Sequence, residues 1–196
     1  MRKGNRFQPL LLAFLFVSLF SVGVLRAQQD TWVTHFGSSL TDTPSDILVD
    51  DAGNSYVSGY FRDTLWFGNT ELVSRGQNDV FLAKFASDGQ LSWVQRYGWN
   101  SNEFAYGMGF DLFGNVILVG NYQDSTIFAG DTLHSRDSLW YGVPAQTYDV
   151  FWARVTPAGD LETVWGGGWY GGDAFYEVEA GLAGYDDPRR YLSQSD

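Results

Sequence analysis

The chain has 196 residues, no cysteine, and 23 acidic against 12 basic residues, for a net charge of −11. That balance argues against a partner with a phosphate backbone and against docking on anionic lipid. The missing cysteines exclude thiol catalysis, zinc–thiolate centres and disulfide stabilisation. Eight Trp, 11 Tyr and 15 Phe accompany 23 glycines and only 5 prolines. Alternating aromatic and β-branched runs punctuated by Gly, Asn and Asp predict many short strands and an all-β fold.

The first segment reads as a leader. Arg2, Lys3 and Arg6 form a basic start, Leu10 to Val24 form an apolar run, and Ala27 stands where a peptidase would cut before Gln28. This is the layout of a secretory signal, and the run is shorter than the ~18–20 residues that span a bilayer core. Residues 1–27 carry Arg2, Lys3, Arg6 and Arg26 and no acid, so the remainder has 8 basic and 23 acidic residues, net −15. The expectation is a secreted chain in the periplasm, at the cell surface or in the medium, with no membrane insertion after cleavage.

The rest of the chain repeats itself. WVTHFGSSLTDTPSDILVDDAGNSYVSGYF from Trp32 aligns with WVQRYGWNSNEFAYGMGFDLFGNVILVGNY from Trp93. Gly37, Asp50, Gly53, Asn54 and Gly59 meet Gly98, Asp111, Gly114, Asn115 and Gly120, all at a spacing of 61. Farther on, DVFLAKFASDGQL (79–91) matches DVFWARVTPAGDL (149–161) at a spacing of 70, so the second copy carries an insertion near 137–145. A third copy starts at Leu161, with Gly168 and Trp169 matching Gly98 and Trp99, and dissolves into DDPRRYLSQSD. The chain therefore divides into a leader (1–27), a first repeat (28–92), a second repeat with an insertion (93–160), and a truncated third repeat with an irregular tail (161–196).

Within a unit four strands are predicted: Ser45 to Asp50, Ser55 to Phe61, Val80 to Ala86 and Leu91 to Tyr97, with a variable connection between the second and third. In the third, Phe81, Ala83 and Phe85 share one face while Val80, Leu82 and Lys84 share the other. Phe151, Ala153 and Val155 against Val150, Trp152 and Arg154 repeat the pattern in the second copy.

The motifs W-V-x-x-F/Y-G, D-x-x-G-N-x-x-V-x-G-Y/F, D-V-F-x-A-K/R and D-G-x-L-x-W resemble the SBBP repeats named after seven-bladed β-propellers. The resemblance extends over roughly residues 32–176. It implies a propeller-type array of four-stranded antiparallel blades in an exported bacterial protein, often of the Bacteroidetes type. About 2.5 units are too few to close a ring, which takes four to eight blades, and fewer than the ~3 that stabilise a stack. The abrupt loss of pattern reads as truncation of a longer propeller; self-association through unpaired blade faces is the other solution.

No catalytic constellation is visible. His35, in the strand expected after Trp32, and His134, before the insertion, lie in no metal-binding or nucleophile-elbow spacing. Asp42, Asp46 and Glu103 stand near strand starts, where paired carboxylates could serve a glycosidase; solvated turn acids are the simpler reading. The turns Asp50–Gly53–Asn54 and Asp111–Gly114–Asn115 resemble fragments of calcium loops but lack the spaced oxygen ligands, so they are assigned as structural turns with no metal. No cofactor is expected, calcium being the one ion the turns bring to mind. Four aromatics are the candidate ligand-binding residues: Trp140 and Tyr141 in the insertion, and Trp169 and Tyr170 in the Gly-rich start of the third copy. The expected function is non-enzymatic binding or scaffolding of a protein or glycan through blade loops. The alternatives are a module of a polysaccharide-active enzyme and a truncated product without independent function.

Overall fold

The computed structural model describes residues 32–135, 138–140, 143–145 and 148–168. These residues hold fourteen strands and no helix. The first six are β1 (Asp42–Val49), β2 (Ser55–Phe61), β3 (Thr64–Phe67), β4 (Thr70–Val73), β5 (Asp79–Phe85) and β6 (Leu91–Tyr97). Then follow β7 (Glu103–Phe110), β8 (Val116–Gln123), β9 (Ser125–Phe128), β10 (Asp131–His134), β11 (Ser138–Trp140), β12 (Val143–Ala145), β13 (Tyr148–Val155) and β14 (Leu161–Gly167). Two four-stranded antiparallel sheets result, in the orders β1-β2-β5-β6 and β7-β8-β13-β14. The pairs β3–β4, β9–β10 and β11–β12 are separate hairpins. This is an all-β, propeller-type repeat architecture without a closed barrel.

Each strand follows from its residues. In β5, period-two alternation sends Phe81, Ala83 and Phe85 to one side and Val80 and Leu82 to the other. Both sides are apolar because both are covered, and all five side chains are buried. The β1–β2 turn closes by geometry: Gly53 takes φ 81°, and its N–H donates to the Asp50 carbonyl. Gly114, at φ 80°, does the same with Asp111 between β7 and β8.

The two sheets also share their irregularities. A register shift falls between Pro44 and Asp46 in β1 and between Ala105 and Gly107 in β7, 61 residues on. A bulge re-aims the side chains next to it. Here the Ser45 hydroxyl donates to the Ala105 carbonyl at 2.7 Å, and the Asp46 Oδ2 accepts the Met108 N–H at 2.7 Å. The bulge thus fastens the first sheet to the second.

The main core lies between the sheets. Tyr56, Val80 and Leu82 of the first pack with Met108, Leu118, Phe151, Ala153 and Val155 of the second. A polar rim closes one side: Lys84 Nζ and Trp93 Nε1 both donate to the Pro157 carbonyl, and Gln95 Nε2 donates to that of Gly159. A second cluster of Phe61, Leu65, Phe67, Phe81 and Phe85 covers the other face of the first sheet.

Two features depart from the sequence-based expectations. The connection between the second and third strands is itself ordered, as β3–β4 in the first unit and β9–β10 in the second. Further, His35 is not in a strand. Residues 32–36 form none, and only Gly37 bridges to Trp66. In sequence register Trp32–Gly37 corresponds to Trp93–Gly98, the end of β6, and β6 pairs with β5 of the sheet before β7. Residues 32–36 have no such preceding strand among the described residues, so they lie over the first sheet instead. Trp32 stacks on Phe85 and Phe36 on Phe67.

Leu82 is fully buried between the sheets, and removing its branch leaves a cavity on both sides of the joint. Leu82→Ala is expected to lower unfolding free energy by about 2–5 kcal/mol, read from urea denaturation followed by circular dichroism. A loss below about 0.5 kcal/mol, the scale of a surface substitution, would contradict the stacked-sheet core.

Candidate functional site

Two fully buried acids stand together at one end of the sheets: Asp79, at the start of β5, and Glu103, at the start of β7. Arg96 on β6 holds an ion pair with the Asp79 carboxylate at 2.5 Å. Asp79 also accepts the N–H groups of Arg75 and Gly76 at 3.1 and 3.2 Å. Glu103 accepts the N–H of Trp99 at 3.3 Å. Gly98 separates the two acids: a Cβ there would come within 2.5 Å of the Asp79 carboxyl carbon and 2.6 Å of a Glu103 oxygen. Burial, and then the neighbouring Asp79 charge, pushes the Glu103 carboxyl up to about 8.

Two adjacent acids with one held protonated would suit acid–base chemistry if a substrate could reach them. Their full burial denies that access and makes the pair a structural element of the joint. The remaining acids singled out in the sequence are also engaged in backbone contacts. Asp42 accepts the Ser38 N–H, and Asp46 accepts those of Ile47 and Met108.

The assigned turn residues act on their own backbone. Asp50 Oδ1 accepts the N–H groups of Ala52 and Asn54, while Oδ2 accepts the Asn54 side-chain amide. Asp111 makes the matching set with Phe113 and Asn115. Burial raises each of these carboxyls, but the Asn side chain and the turn N–H groups outweigh it, so both sit below the usual range. Their oxygens are engaged by the turn, with the Tyr56 hydroxyl beside Asp50 and Arg154 beside Asp111, and among the described residues no group of three His, Cys, Asp or Glu is placed to hold a metal ion.

His35 is exposed. His134 ends β10, where its Nδ1 lies 3.0 Å from the Ser125 hydroxyl across the hairpin. Ser125 and His134 are an exposed cross-strand pair.

Of the four candidate aromatics, Trp140 lies on β11 opposite Val143 of β12. Tyr141, Trp169 and Tyr170 lie outside the described residues. The hairpin β11–β12 has no counterpart in the first unit.

Two concavities were not anticipated from sequence. A hollow of about 230 Å³ on the β3–β4 hairpin is lined by Ser38, Ser39, Asp63, Thr64, Trp66 and Glu71. Trp66 is 43% exposed there and offers an aromatic plane among hydroxyls and carboxylates. A larger, open groove of about 500 Å³ on the first sheet is lined by Trp32, Phe36, Ile47, Val57 and Phe85, with Asp46 as its one charged residue. The sequence carried a signal for the acid pair: an acid stands at 42, 103 and 173 and again at 79 and 149, at the spacings of the repeat. Trp66 has no such signal, since its counterpart is Ile127.

A Glu103→Gln variant tests the state of the buried acid. In the unfolded chain the group ionises near 4.5, and in the folded chain near 8. Between those values the folded protein holds a proton that the unfolded one has released, so the native protein loses stability as pH rises through that window. The variant has no such loss. It is expected to match the native chain at pH 4 and exceed its unfolding free energy by about 2–4 kcal/mol at pH 9. A pH-independent difference would show that Glu103 is ionised in the fold.

No curated protein matches the chain. A family model described as SBBP, a beta-propeller repeat, matches residues 31–60, a stretch that runs through β1, the Asp50–Asn54 turn and most of β2. The repeat is a structural unit and not a catalytic family. Over residues 31–60 the chain is similar to the SBBP beta-propeller repeat.

Proposed function

We propose that the chain is an exported, non-enzymatic binding or scaffolding protein that contacts a protein or glycan through the hairpins between the second and third strands of its sheets. The observation that carries this reading is where the two units agree and where they differ. Sheets, bulges and turns coincide position by position, whereas the connection does not: the second unit adds β11–β12, with Trp140, and the first exposes Trp66. Loops on a fixed scaffold are where binding proteins vary. Trp rings stack on the apolar faces of sugars or anchor peptides, and the acids and hydroxyls beside Trp66 supply hydrogen-bond partners for a hydroxylated ligand. The Asp79–Glu103 pair is fully buried and so closed to a substrate. Export rests on residues 1–27, and this reading requires no cofactor.

Glycan and peptide arrays probed with the labelled chain are expected to give a ligand whose affinity falls about tenfold or more in Trp66→Ala or Trp140→Ala, the scale of an aromatic anchor. Binding that survives both substitutions, or cleavage of an arrayed glycan, would reject the proposal. Export has its own readout. Expressed in a bacterial host, the chain is expected outside the cytoplasm with Gln28 as its first residue by mass spectrometry; an intact Met1 on the exported chain would refute a cleaved leader.

A further inference from the structure

The hollow on the β3–β4 hairpin is built by two segments of the first unit. In β3, alternation buries Leu65 and Phe67 and turns Trp66 outward, and Glu71 stands directly across from Trp66 on β4. Trp66 also exchanges two backbone hydrogen bonds with Gly37, each N–H donating to the other's carbonyl, which brings Ser38 and Ser39 to the rim. Asp63, at φ 68°, and Thr64 complete the lining. Trp66 is the one apolar residue of the six.

The second unit provides an internal comparison. At the spacing of 61, Asp63 and Thr64 meet Asp124 and Ser125, which keep the acid and the hydroxyl, while Trp66 and Glu71 meet Ile127 and Thr132. The first unit therefore adds an aromatic plane and a second carboxylate at one place. It also leaves its shared acid more open. Asp124 accepts a hydrogen bond from the Ser101 hydroxyl at 2.7 Å. Leu40 stands where Ser101 would, and the side-chain oxygens of Asp63 have the Thr64 hydroxyl alone, at 3.5 Å, among the described residues.

Size and chemistry narrow what fits. A volume of about 230 Å³ is below the roughly 300–1,000 Å³ that houses a drug-sized ligand, so the hollow has room for about one ring. A sugar ring has an apolar C–H face for an indole and hydroxyls round its edge for the Ser, Thr and carboxylate oxygens. An apolar peptide side chain would match Trp66 alone and cover the two acids without pairing them. Charge narrows the choice further. No Lys or Arg lines the hollow, and neither Asp63 nor Glu71 forms an ion pair among the described residues. An acid group on the ring would meet two carboxylates with no cation between them, a repulsive element that rejects the wrong ligand.

We propose that this hollow seats one ring of a glycan whose sugars carry no acid group. The ring stacks on Trp66, and Asp63 and Glu71 accept hydrogen bonds from its hydroxyls while turning away uronic and sialic acids. The ligand class rests on the binding role proposed above, and the two acids add its selectivity.

Titrations of the full chain followed by the Trp66 indole N–H resonance, assigned by its loss in Trp66→Ala, test this. The probes are β-1,4-linked hexamers of glucose, mannose and galactose, each beside its form oxidised to the uronic acid at C6, and hexalysine. At least one uncharged hexamer is expected to shift the resonance. Its uronic form is expected to need about tenfold more ligand in 0.05 M salt, with a smaller excess in 0.5 M salt as screening rises. Glu71→Gln combined with Asp63→Asn, which keeps a residue that tolerates positive φ, is expected to close the gap to about threefold or less. Asp51→Asn, at an exposed acid outside the hollow, leaves the gap unchanged. Circular dichroism checks that each variant keeps its sheets. Equal binding of an uncharged hexamer and its uronic form, or a gap that survives the double variant or closes as far in Asp51→Asn, would overturn the proposal. So would tighter binding of hexalysine at Trp66, or no shift with any probe. In those last two cases a Trp66- or Trp140-dependent ligand from the arrays leaves the broader binding role standing.

Discussion

The structure depends on burying a face of one sheet against the next. A four-stranded sheet whose central strands are apolar on both sides, as β5 is, gains half of its burial from its own covering hairpin and the other half only from a neighbour. Tyr56, Val80 and Leu82 are that second half for the first sheet, each contributing about 1.5–3 kcal/mol by leaving water. The same three side chains close the core of the second sheet. Neither sheet is complete alone, which is the physical meaning of a repeat whose unit cannot satisfy its own surface.

Direction enters through the polar fastenings. The bulge at Ser45 and Asp46 reaches forward to Ala105 and Met108, and Lys84, Trp93 and Gln95 reach forward to the turn at Pro157–Gly159. Apolar burial fixes how much surface is covered, while these bonds fix which sheet follows which and in what register. The Asp79–Arg96 pair and the protonated Glu103 lie at the end of the same joint, where Gly98 leaves room for two carboxyls that a side chain would displace. An acid pushed toward its neutral form by burial, and then by the charge of its neighbour, makes the joint sensitive to pH.

What could be read from the sequence divides along the same line. The four main strands were legible because each is patterned at period two and repeated, and the turns because Asp, Gly and Asn stand where geometry needs them. Phase was harder. Repeats counted from Trp32 and Trp93 begin one strand ahead of the sheets, because β6 finishes the first sheet while opening the second copy. Nothing in residues 32–37 says that no strand among the described residues pairs with them as β5 pairs with β6; that depends on a neighbour, not on local propensity. The β3–β4 hairpin was hidden by its brevity, four residues a side, with Asp63 at φ 68° turning into it. The exposure of Trp66 was illegible for a related reason. Whether an isolated aromatic packs or protrudes is decided by what lies across from it.

The insertion in the second unit shows how such a scaffold takes on something new. The chain leaves the second sheet at Asp124, whose positive φ of 59° matches that of Asp63, and forms β9–β10 as the first unit forms β3–β4. Ser135 N–H then donates to the Asp124 carbonyl, as Ser74 does to Asp63, so the connection is already closed before β11 begins. From there β13 pairs with β8 along its whole length, starting at Tyr148 opposite Gln123. Both ends of the added hairpin are therefore held by bonds that exist without it. Lengthening a loop between fixed ends costs little, since closure entropy grows only with the logarithm of length. The sheet stack can thus stay constant, as burial demands, while the connection between second and third strands is free to carry whatever aromatic or polar groups a ligand requires.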